Sequence, residues 1–274
     1  MDRIIKGFRD VSEKYDCFLF DLWGVLYEGG AIFRDALEVL KILNSFEKPV
    51  VLISNTPFLR IDCKKNLEHF GLPTELYQTV LTAGDLCFEY IQNEYKTAKK
   101  IYLIDTHYWE KWQKINKSHS VTDNIQEADF ILALAVPQAL KDPKDIALHY
   151  DEIFKQAIKR NLKFICSNPD LLAFCSKKQY LRPGLLSQRY QQLGGEVLSF
   201  GKPFPEIFIR ALKQLKCSDR VLMIGDTEYT DIQGALTHNM DTLLITASYE
   251  VYSDSKVCEF IWNETKKRSR IRCY

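Results

Sequence analysis

The sequence predicts an α/β fold in which a doubly wound parallel sheet is covered by helices. The first observation is a set of short apolar runs of strand length, at 17–22, 49–54, 221–226 and 240–246. The second is a set of amphipathic helical patterns that alternate with these runs, at 33–43, 59–70 and 232–238. Apolar strands that alternate with helices are typical of parallel sheets that are buried on both faces.

The middle of the chain predicts a second α/β unit inserted into the first. Strand-like runs recur at 100–105, 129–136 and 163–168, and they are separated by helical patterns at 107–115 and 147–160. The strand pattern of the first unit resumes only after this stretch. We therefore expect residues 82–183 to form an inserted domain, and residues 1–81 and 184–274 to form the core.

Composition and charge exclude several classes of function. Lys and Arg number 37 against 36 Asp and Glu, so the net charge is +1 and nucleic acid is not expected as a partner. The longest apolar run, at 131–136, is too short to cross a membrane, and charges interrupt the N-terminal segment. We therefore expect neither a membrane partner nor a secretory signal. The eight cysteines include no CxxC pair, which favours reduced thiols in a cytoplasmic protein.

Two strand ends in the first part of the chain place polar side chains where an α/β sheet binds ligands. Asp21 ends the first apolar run and Ser54 ends the second. Because the carboxyl ends of parallel strands share one edge, we expect Asp21 to face the ligand crevice and the Ser54 hydroxyl to bind a phosphoryl oxygen. Taken singly, each side chain also fits a helix cap.

The last third of the chain adds a lysine and two carboxylates. Lys202 lies in the Gly-Lys-Pro segment before a helix, where the helix dipole disfavours a cation, and this placement indicates a function. The alternative is a solvated lysine. Asp226 and Asp231 follow the strand at 221–226, and clustered carboxylates are oxygen ligands suited to Mg²⁺. The alternative for this pair is one helix cap and one surface carboxylate.

The order of these features is more informative than any one of them. A strand-end Asp, a strand-end Ser, a Lys at a helix start and a Gly-Asp-x4-Asp turn are all predicted at one edge of the sheet. Together they predict Mg²⁺-assisted phosphoryl transfer by an aspartate nucleophile.

With these motifs, the sequence resembles the haloacid dehalogenase superfamily and, within it, the class IIA, NagD-like branch. The resemblance extends from about Tyr15 to Ala247 and includes Leu-Thr-Ala-Gly-Asp at 81–85, Ser-Asn-Pro-Asp-Leu at 167–171 and Arg-Pro-Gly at 182–184. It implies a Rossmann-like core with an α/β cap of the C2 type between the second and third motifs, where the inserted unit is predicted. Caps of this branch often make dimer contacts, so the resemblance also implies a homodimer through the cap.

The resemblance implies roles for four residues at the phosphoryl group. Asp21 would be the nucleophile and would also hold Mg²⁺. Lys202 would neutralise charge between Asp21 and the phosphate. Ser54 and Asn55 would bind the phosphoryl group of a substrate that is expected to be a small phosphorylated metabolite.

The resemblance also implies the remaining ligands of the metal and a contact from the cap. Mg²⁺ would be held by the backbone carbonyl of Trp23 and by Asp226, with Asp231 beside it or acting through water. Asn168 and Asp170 match the Asn-Pro-Asp motif on the cap side of the substrate site.

Trp23 departs from the pattern of the family. Phosphatases of the superfamily usually have a second Asp at this position as general acid and base, and an indole does not transfer a proton readily. The sequence closely resembles a bacterial subgroup with an Asp-x-Trp-Gly-Val motif. Three functions stay open: a slow phosphatase, a phosphate-ligand-binding or regulatory protein with weak catalysis, and other chemistry at carbon or phosphorus.

Overall fold

The computed structural model describes residues 3–5, 7–97, 99–104, 108–114, 118–175, 178–216, 220–247 and 258–263. Its strands, in chain order, are β1 (Arg3–Ile5), β2 (Cys17–Phe20), β3 (Tyr27–Glu28), β4 (Ala31–Ile32), β5 (Val50–Ser54), β6 (Thr79–Thr82), β7 (Lys100–Ile104), β8 (Ser120–Thr122), β9 (Phe130–Ala133), β10 (Lys163–Cys166), β11 (Leu172–Cys175), β12 (Lys178–Leu181), β13 (Val197–Ser199), β14 (Val221–Gly225), β15 (Asp241–Ala247) and β16 (Cys258–Asn263). Its α-helices are α1 (Arg9–Ser12), α2 (Arg34–Ser45), α3 (Arg60–His69), α4 (Ala83–Glu94), α5 (Trp109–Gln113), α6 (Pro143–Lys159), α7 (Pro183–Gln192), α8 (Pro205–Leu215) and α9 (Gln233–Thr237).

The chain divides into two compact units. The first contains Met1–Ser54, Cys63–Leu81 and Lys202–Tyr274, and the second contains Asn55–Asp62 and Thr82–Gly201. Residues 184–201, which the sequence analysis assigned to the core, therefore belong to the second unit. The reason is that β13 pairs with β10 and α7 contacts α6, so both elements complete the second unit.

The first unit contains a seven-stranded sheet of order β1-β16-β15-β14-β2-β5-β6. The neighbours from β15 through β14 and β2 to β5 are parallel. Every residue of β2, β5 and β14 is buried. Because successive strand residues point to opposite faces, both faces of this part of the sheet are covered, and the predicted α/β fold is confirmed.

One edge of this sheet differs from the sequence prediction. β16 pairs antiparallel with β15, and β1 pairs antiparallel with β16. Neither segment was predicted as a strand, because short strands that are stabilised by pairing with distant segments leave a weak local pattern. The sheet is therefore parallel at its centre and antiparallel at this edge.

The second unit contains a five-stranded sheet of order β13-β10-β9-β7-β8, in which each pair is parallel. Strand β9 separates two apolar clusters, because Ile131 and Ala133 belong to one of them and Phe130 and Leu132 to the other. Helices α6 and α7 pack in the first cluster, and α4 and α5 pack in the second. This sheet is therefore also covered on both faces, as the sequence predicts for an α/β unit.

The cysteines follow the sequence expectation only in part. Cys63, Cys87 and Cys166 are buried free thiols, in agreement with the reduced state expected for them. Cys17 is disulfide-bonded, so the expectation is wrong for this residue. The reason is that disulfide connectivity cannot be deduced from the spacing of cysteines in the sequence.

The expectation of no membrane partner depended on the length of the apolar segments. Among the residues that the structure describes, no helix combines the length and the hydropathy that a membrane span requires.

Candidate functional site

Asp21 lies at the carboxyl end of β2, in the parallel part of the first sheet. Its backbone N–H donates to the carbonyl of Ile224 in β14 at 2.9 Å, so the sheet itself fixes its position. Only 7% of the residue is exposed. The next helix, α2, has Phe33 as its N-cap, and the helix-cap alternative for Asp21 is therefore wrong.

Lys202 is buried between two carboxylates, and the solvated alternative is wrong. The residue is 2% exposed. Its Nζ donates to Oδ1 of Asp21 and, at 2.6 Å, to Oδ1 of Asp231. The two carboxylates supply the compensation that a cation close to the start of a helix requires.

Strand β14 and the turn after it position the other two carboxylates. Asp226 directly follows β14, and Asp231 lies in the π-helical turn Glu228–Ile232. Asp231 is 1% exposed, which excludes a surface carboxylate at this position.

Thr227 links these two carboxylates, and the sequence analysis missed it. Its backbone N–H donates to Oδ2 of Asp231 and its hydroxyl donates to Oδ1 of Asp226, each at 3.1 Å. Its carbonyl accepts the backbone N–H of Asp231 at 3.0 Å. The available signal was a threonine directly after a strand-end aspartate, because such a side chain readily bonds to neighbouring carboxylates.

Two glycines leave room for the carboxylates. Gly24 has a φ of +82°, and a Cβ at this position would overlap Oδ2 of Asp226. A Cβ at Gly225 would likewise overlap the side chain of Asp231. Both positions therefore require glycine, because the carboxylates approach the backbone closely.

The three carboxylates fit a divalent cation. Oxygen atoms of Asp21, Asp226 and Asp231 all lie within 4.8 Å of one another. Among the residues that the structure describes, the buried ammonium that contacts this cluster is that of Lys202, which bonds to Asp21 and Asp231, so the three carboxylates carry an excess of negative charge when all are ionised. Hard oxygen ligands and this charge balance suit a divalent cation. The contribution of the Trp23 carbonyl stays a prediction.

Burial and neighbouring charges shift the pKa values of Asp21 and Lys202. Burial raises the pKa of Asp21 well above its ordinary value; Lys202 lowers it, and Asp231 and Asp226 raise it. Burial lowers the pKa of Lys202, but the carboxylates of Asp21 and Asp231 raise it by more, so the ammonium is maintained. A divalent cation at the cluster would lower the pKa of Asp21 and favour its ionised form.

Ser54 ends β5, the parallel neighbour of β2. The residue is buried, and the next helix begins only at Arg60, so Ser54 is not the N-cap of that helix. Since parallel strands end at the same edge of a sheet, Ser54 and Asp21 lie at one edge, as the sequence predicts.

The other three predicted residues belong to the second unit. Asn55 is buried, and its Nδ2 donates to Oδ1 of Asp170 at 2.7 Å. Asn168 is also buried, and its Oδ1 accepts the backbone N–H of Asp170 at 2.9 Å. The structure thus brings these three residues together. The sequence analysis did not predict the Asn55–Asp170 contact, which joins residues 115 positions apart.

Trp23 packs in a row of aromatic rings. Its indole meets the ring of Tyr27 edge-on at 5.6 Å, and the ring of Tyr27 lies 5.1 Å from that of Phe70. Edge-on and tilted aromatic pairs stabilise a fixed ring position. This packing explains an aromatic residue at position 23 in structural terms.

Family models match both ends of the chain. The model described as haloacid dehalogenase-like hydrolase matches residues 18–115, and a second one, described as HAD-hydrolase-like, matches residues 199–255. These two stretches contain all the carboxylates of the cluster and Lys202.

Curated relatives and a solved structure extend this similarity over most of the chain. The chain is 23% identical to an acid sugar phosphatase of Staphylococcus epidermidis, over 88% of this chain and 90% of the relative. It is 26% identical to the 5'-nucleotidase YutF of Bacillus subtilis, over 84% and 87%. A haloacid dehalogenase-like hydrolase from Brucella suis superposes with a TM-score of 0.76 at 26% identity, over 87% of this chain and 88% of that one.

The family matches fall on the segments that contain the four motifs, and the structural match includes both units. The resemblance predicted from the sequence is therefore confirmed at the level of the superfamily and its class IIA architecture. The more specific Asp-x-Trp-Gly-Val subgroup stays a prediction. This chain belongs to the haloacid dehalogenase-like hydrolases, in the class IIA branch of the superfamily.

Proposed function

We propose that this protein is a phosphatase that removes the phosphoryl group from a small phosphorylated metabolite, with Asp21 as nucleophile and Mg²⁺ as cofactor. The observation that carries the proposal is the buried cluster in which Lys202 joins Asp21 to Asp231, beside Asp226. The phosphatase and nucleotidase names of the relatives support the same class of reaction.

The proposed reaction has two displacements at phosphorus. A carboxylate oxygen of Asp21 attacks the phosphorus, and the bond to the substrate oxygen breaks; the leaving oxygen keeps the electron pair of that bond and takes a proton from solvent to become the alcohol. Water then attacks the phosphorus of the aspartyl-phosphate and gives up a proton to solvent, while the bond between phosphorus and the Asp21 oxygen breaks, which releases inorganic phosphate and restores the carboxylate. Both steps redistribute negative charge over the phosphoryl oxygens, and positive charge that is already in place lowers their barriers.

The residues around Asp21 have separate tasks in this proposal. The ammonium of Lys202 offsets charge between Asp21 and the phosphoryl group, and its bond to Asp231 keeps it in place. The Ser54 hydroxyl and Asn55 bind the phosphoryl oxygens, as hydroxyl and amide donors do in anion sites.

The carboxylate cluster is the proposed metal site. Asp21, the Trp23 carbonyl and Asp226 would hold Mg²⁺, with Asp231 beside it or acting through water. When bound, the ion would supply Lewis-acid stabilisation of negative charge on the phosphoryl oxygens. The short separation of the carboxylates and their excess of negative charge support this assignment.

A second candidate function is favoured by the packing of Trp23. At this position an indole in contact with Tyr27 replaces the acid and base that phosphatases of the superfamily use. A phosphate-ligand-binding or regulatory protein with weak catalysis therefore remains the alternative. It predicts that a ligand stabilises the protein without being turned over.

Three further expectations remain proposals. They are substrate recognition by Asn168 and Asp170, a cytoplasmic location, and a homodimer through the inserted unit. Light scattering of the full chain measures the last of these, and a monomeric mass at all concentrations would contradict it.

The experiment that tests the proposed function is a panel of phosphomonoesters assayed for phosphate release, with Mg²⁺ or with a chelator. We expect release that requires the cation and that Asp21→Asn abolishes. The matched control is Asp241→Asn, because Asp241 also accepts a hydrogen bond in this unit, from the Tyr15 hydroxyl at 2.8 Å, but lies outside the cluster. Ligand-dependent stabilisation without release from any ester would favour the binding protein instead.

A further inference from the structure

We infer that Asp170 is a positioning residue that acts through Asn55 on the phosphoryl-binding segment of Ser54 and Asn55. This inference rests on the proposed function, because it needs Asn55 at the phosphoryl group. The observation behind it is the 2.7 Å hydrogen bond that Nδ2 of Asn55 donates to Oδ1 of Asp170.

The bond is of a strong kind, and it is partly buried. Its acceptor is a carboxylate, and hydrogen bonds to an ionised partner are shorter and stronger than those between neutral groups. The donor residue, Asn55, is 5% exposed. Loss of the acceptor would leave a buried amide without this partner, which is costly in an interior.

Asp170 is itself held in place by its own loop. Its backbone N–H donates to Oδ1 of Asn168 at 2.9 Å, and its carbonyl accepts the backbone N–H of Gly184 at 3.0 Å. A Cβ at Gly184 would overlap the carbonyl of Pro169, so the loop packs directly on the start of α7. Asp170 therefore presents its carboxylate from a fixed backbone.

The other side of the Asn55 carboxamide is confined by Gly201. Gly201 has a φ of +103°, and a Cβ there would overlap Oδ1 of Asn55 and lie 2.8 Å from Cβ of Ala83. The carboxamide is thus enclosed between the carboxylate of Asp170 and the backbone of Gly201. Ser54 is the residue before Asn55, and Lys202 is the residue after Gly201.

A fixed carboxamide matters because its residue follows Ser54 directly. If the Asp170 carboxylate is removed, Asn55 gains rotamers, and the backbone that it shares with Ser54 becomes less well defined. Small displacements of groups that bind a reacting centre lower both the affinity and the reaction rate. The affinity for phosphate should therefore depend on Asp170 through Asn55.

The experiment measures the inhibition constant of inorganic phosphate, together with KM and kcat, in the full chain with Mg²⁺. We expect Asp170→Ala to weaken phosphate binding about tenfold and to raise KM, because a partly buried hydrogen bond to a charged group is lost. Asp170→Asn keeps an acceptor oxygen and should stay within about twofold of the wild type. The matched control is Asp151→Ala, which breaks the Asp151–Arg189 ion pair in the same unit and should leave phosphate affinity unchanged.

A double-mutant cycle separates action through Asn55 from a general structural effect. Asn55→Ala with Asp170→Ala should bind phosphate no more weakly than Asn55→Ala alone, because the two residues act as one unit. Asp170→Ser, whose side chain is also too short to reach Asn55, replaces Asp170→Ala if that variant does not fold. Independent effects of the two substitutions, or a loss with Asp170→Asn as large as with Asp170→Ala, would overturn the inference.

Failure of the inference is distinguishable from failure of the proposed function. If the wild type binds phosphate and the Asp170→Ala variant binds it with the same affinity, only the positioning role is overturned. A wild type that neither binds phosphate nor releases it from any ester overturns the proposed function and, with it, this inference.

Discussion

The two units have the same kind of sheet, but the side chains at their strand ends differ in chemistry. Both sheets have parallel strands that are covered on both faces. At the edge of the first sheet, carboxylate oxygens of Asp21, Asp226 and Asp231 lie within 4.8 Å of one another, and Lys202 bonds to Asp21 and Asp231. At the end of β10 in the second sheet, Ser167 donates to the carbonyl of Ala133 at 3.0 Å, so its hydroxyl contributes to the structure of its own unit.

The comparison shows that the sheet positions residues at its strand ends, and that the side chains of these residues determine the chemistry. Among the residues that the structure describes, the one group of three carboxylates close enough for a metal ion lies in the first unit. The second unit repeats the architecture, and its described residues contain no such group. Function in α/β proteins resides in sites added to a common fold, and the two halves of this chain illustrate that rule.

The largest expected effect is that of removing the Lys202 ammonium from the carboxylate cluster at the edge of the first sheet. Lys202→Met should lower kcat by about 10³-fold, because fixed positive charge at the phosphoryl group is lost. It should also lower the free energy of unfolding by about 3–5 kcal/mol, because two buried carboxylates lose their common partner. Phosphate release and urea unfolding measure the two effects.

The control for this substitution is Lys48→Met. Lys48 donates to the carbonyls of Ser12 and Tyr15 at 2.8 and 2.7 Å, so this variant also removes a bonded lysine from the first unit. Its kcat should stay near that of the wild type. A Lys202→Met enzyme with normal kcat would show that the carboxylate cluster around Asp21 is not the reaction site.

The second effect concerns the space that Gly24 leaves for Asp226. Gly24→Ala should weaken the binding of Mn²⁺, used as a spectroscopic probe of the metal site, by about 10²-fold, because the added Cβ displaces a ligand. Gly29→Ala is the matched control: Gly29 also has a positive φ, +66°, but no atom lies within 4 Å of a Cβ built there. Equal losses in both variants would assign the effect to backbone strain and not to Asp226.

The third effect is a gain of function at Trp23. Trp23→Asp should raise turnover of alkyl phosphates by up to about 10²-fold, because a carboxyl group can protonate a poor leaving group. Aryl phosphates should change less, because their leaving groups need little protonation. Trp23→Asn, which has similar size without the acid, is the control.

Rapid turnover of alkyl phosphates by the wild type, unchanged or lowered in Trp23→Asp, would contradict this assignment. Another residue would then perform the proton transfer.

The smallest expected effect is that of the Thr227 hydroxyl. Thr227→Val keeps the backbone N–H that bonds to Asp231 but loses the hydroxyl that bonds to Asp226, so metal affinity should fall about tenfold. Thr227→Ser should restore it. Thr237→Val, which removes a hydroxyl bonded to the carbonyl of Gly234 at 2.7 Å, should leave metal affinity unchanged. A Thr227→Ser variant as weak as Thr227→Val would contradict the role of the hydroxyl.

Local patterns predicted much of the first unit and its site. Asp21, Ser54 and Asp226 stand at the ends of apolar runs, and strand polarity alone brings the ends of parallel strands to one edge. The burial of Lys202 did not follow from its local pattern, because a lysine before a helix is equally compatible with solvent. The ammonium is stabilised in the interior by a hydrogen bond to Asp231, which lies 29 positions away.

Features that depend on long-range contacts could not be predicted. The pairing of Asn55 with Asp170 spans 115 positions, and no periodicity specifies it. The pairing of strand β1 with β16 depends on a partner far along the chain in the same way. Thr227 was missed for a different reason, because its role is visible only when both neighbouring carboxylates are located.

The most direct test of the central claim is to look for phosphate bound covalently to Asp21. The wild type would be mixed rapidly with p-nitrophenyl phosphate and Mg²⁺, quenched in acid, digested and analysed by mass spectrometry. The account predicts a burst of p-nitrophenol and a phosphorylated peptide whose modified residue is Asp21, because the first displacement is fast with a good leaving group and the second lacks a base. Steady turnover from the first moment with phosphate on another residue, or with none on the protein, would contradict it.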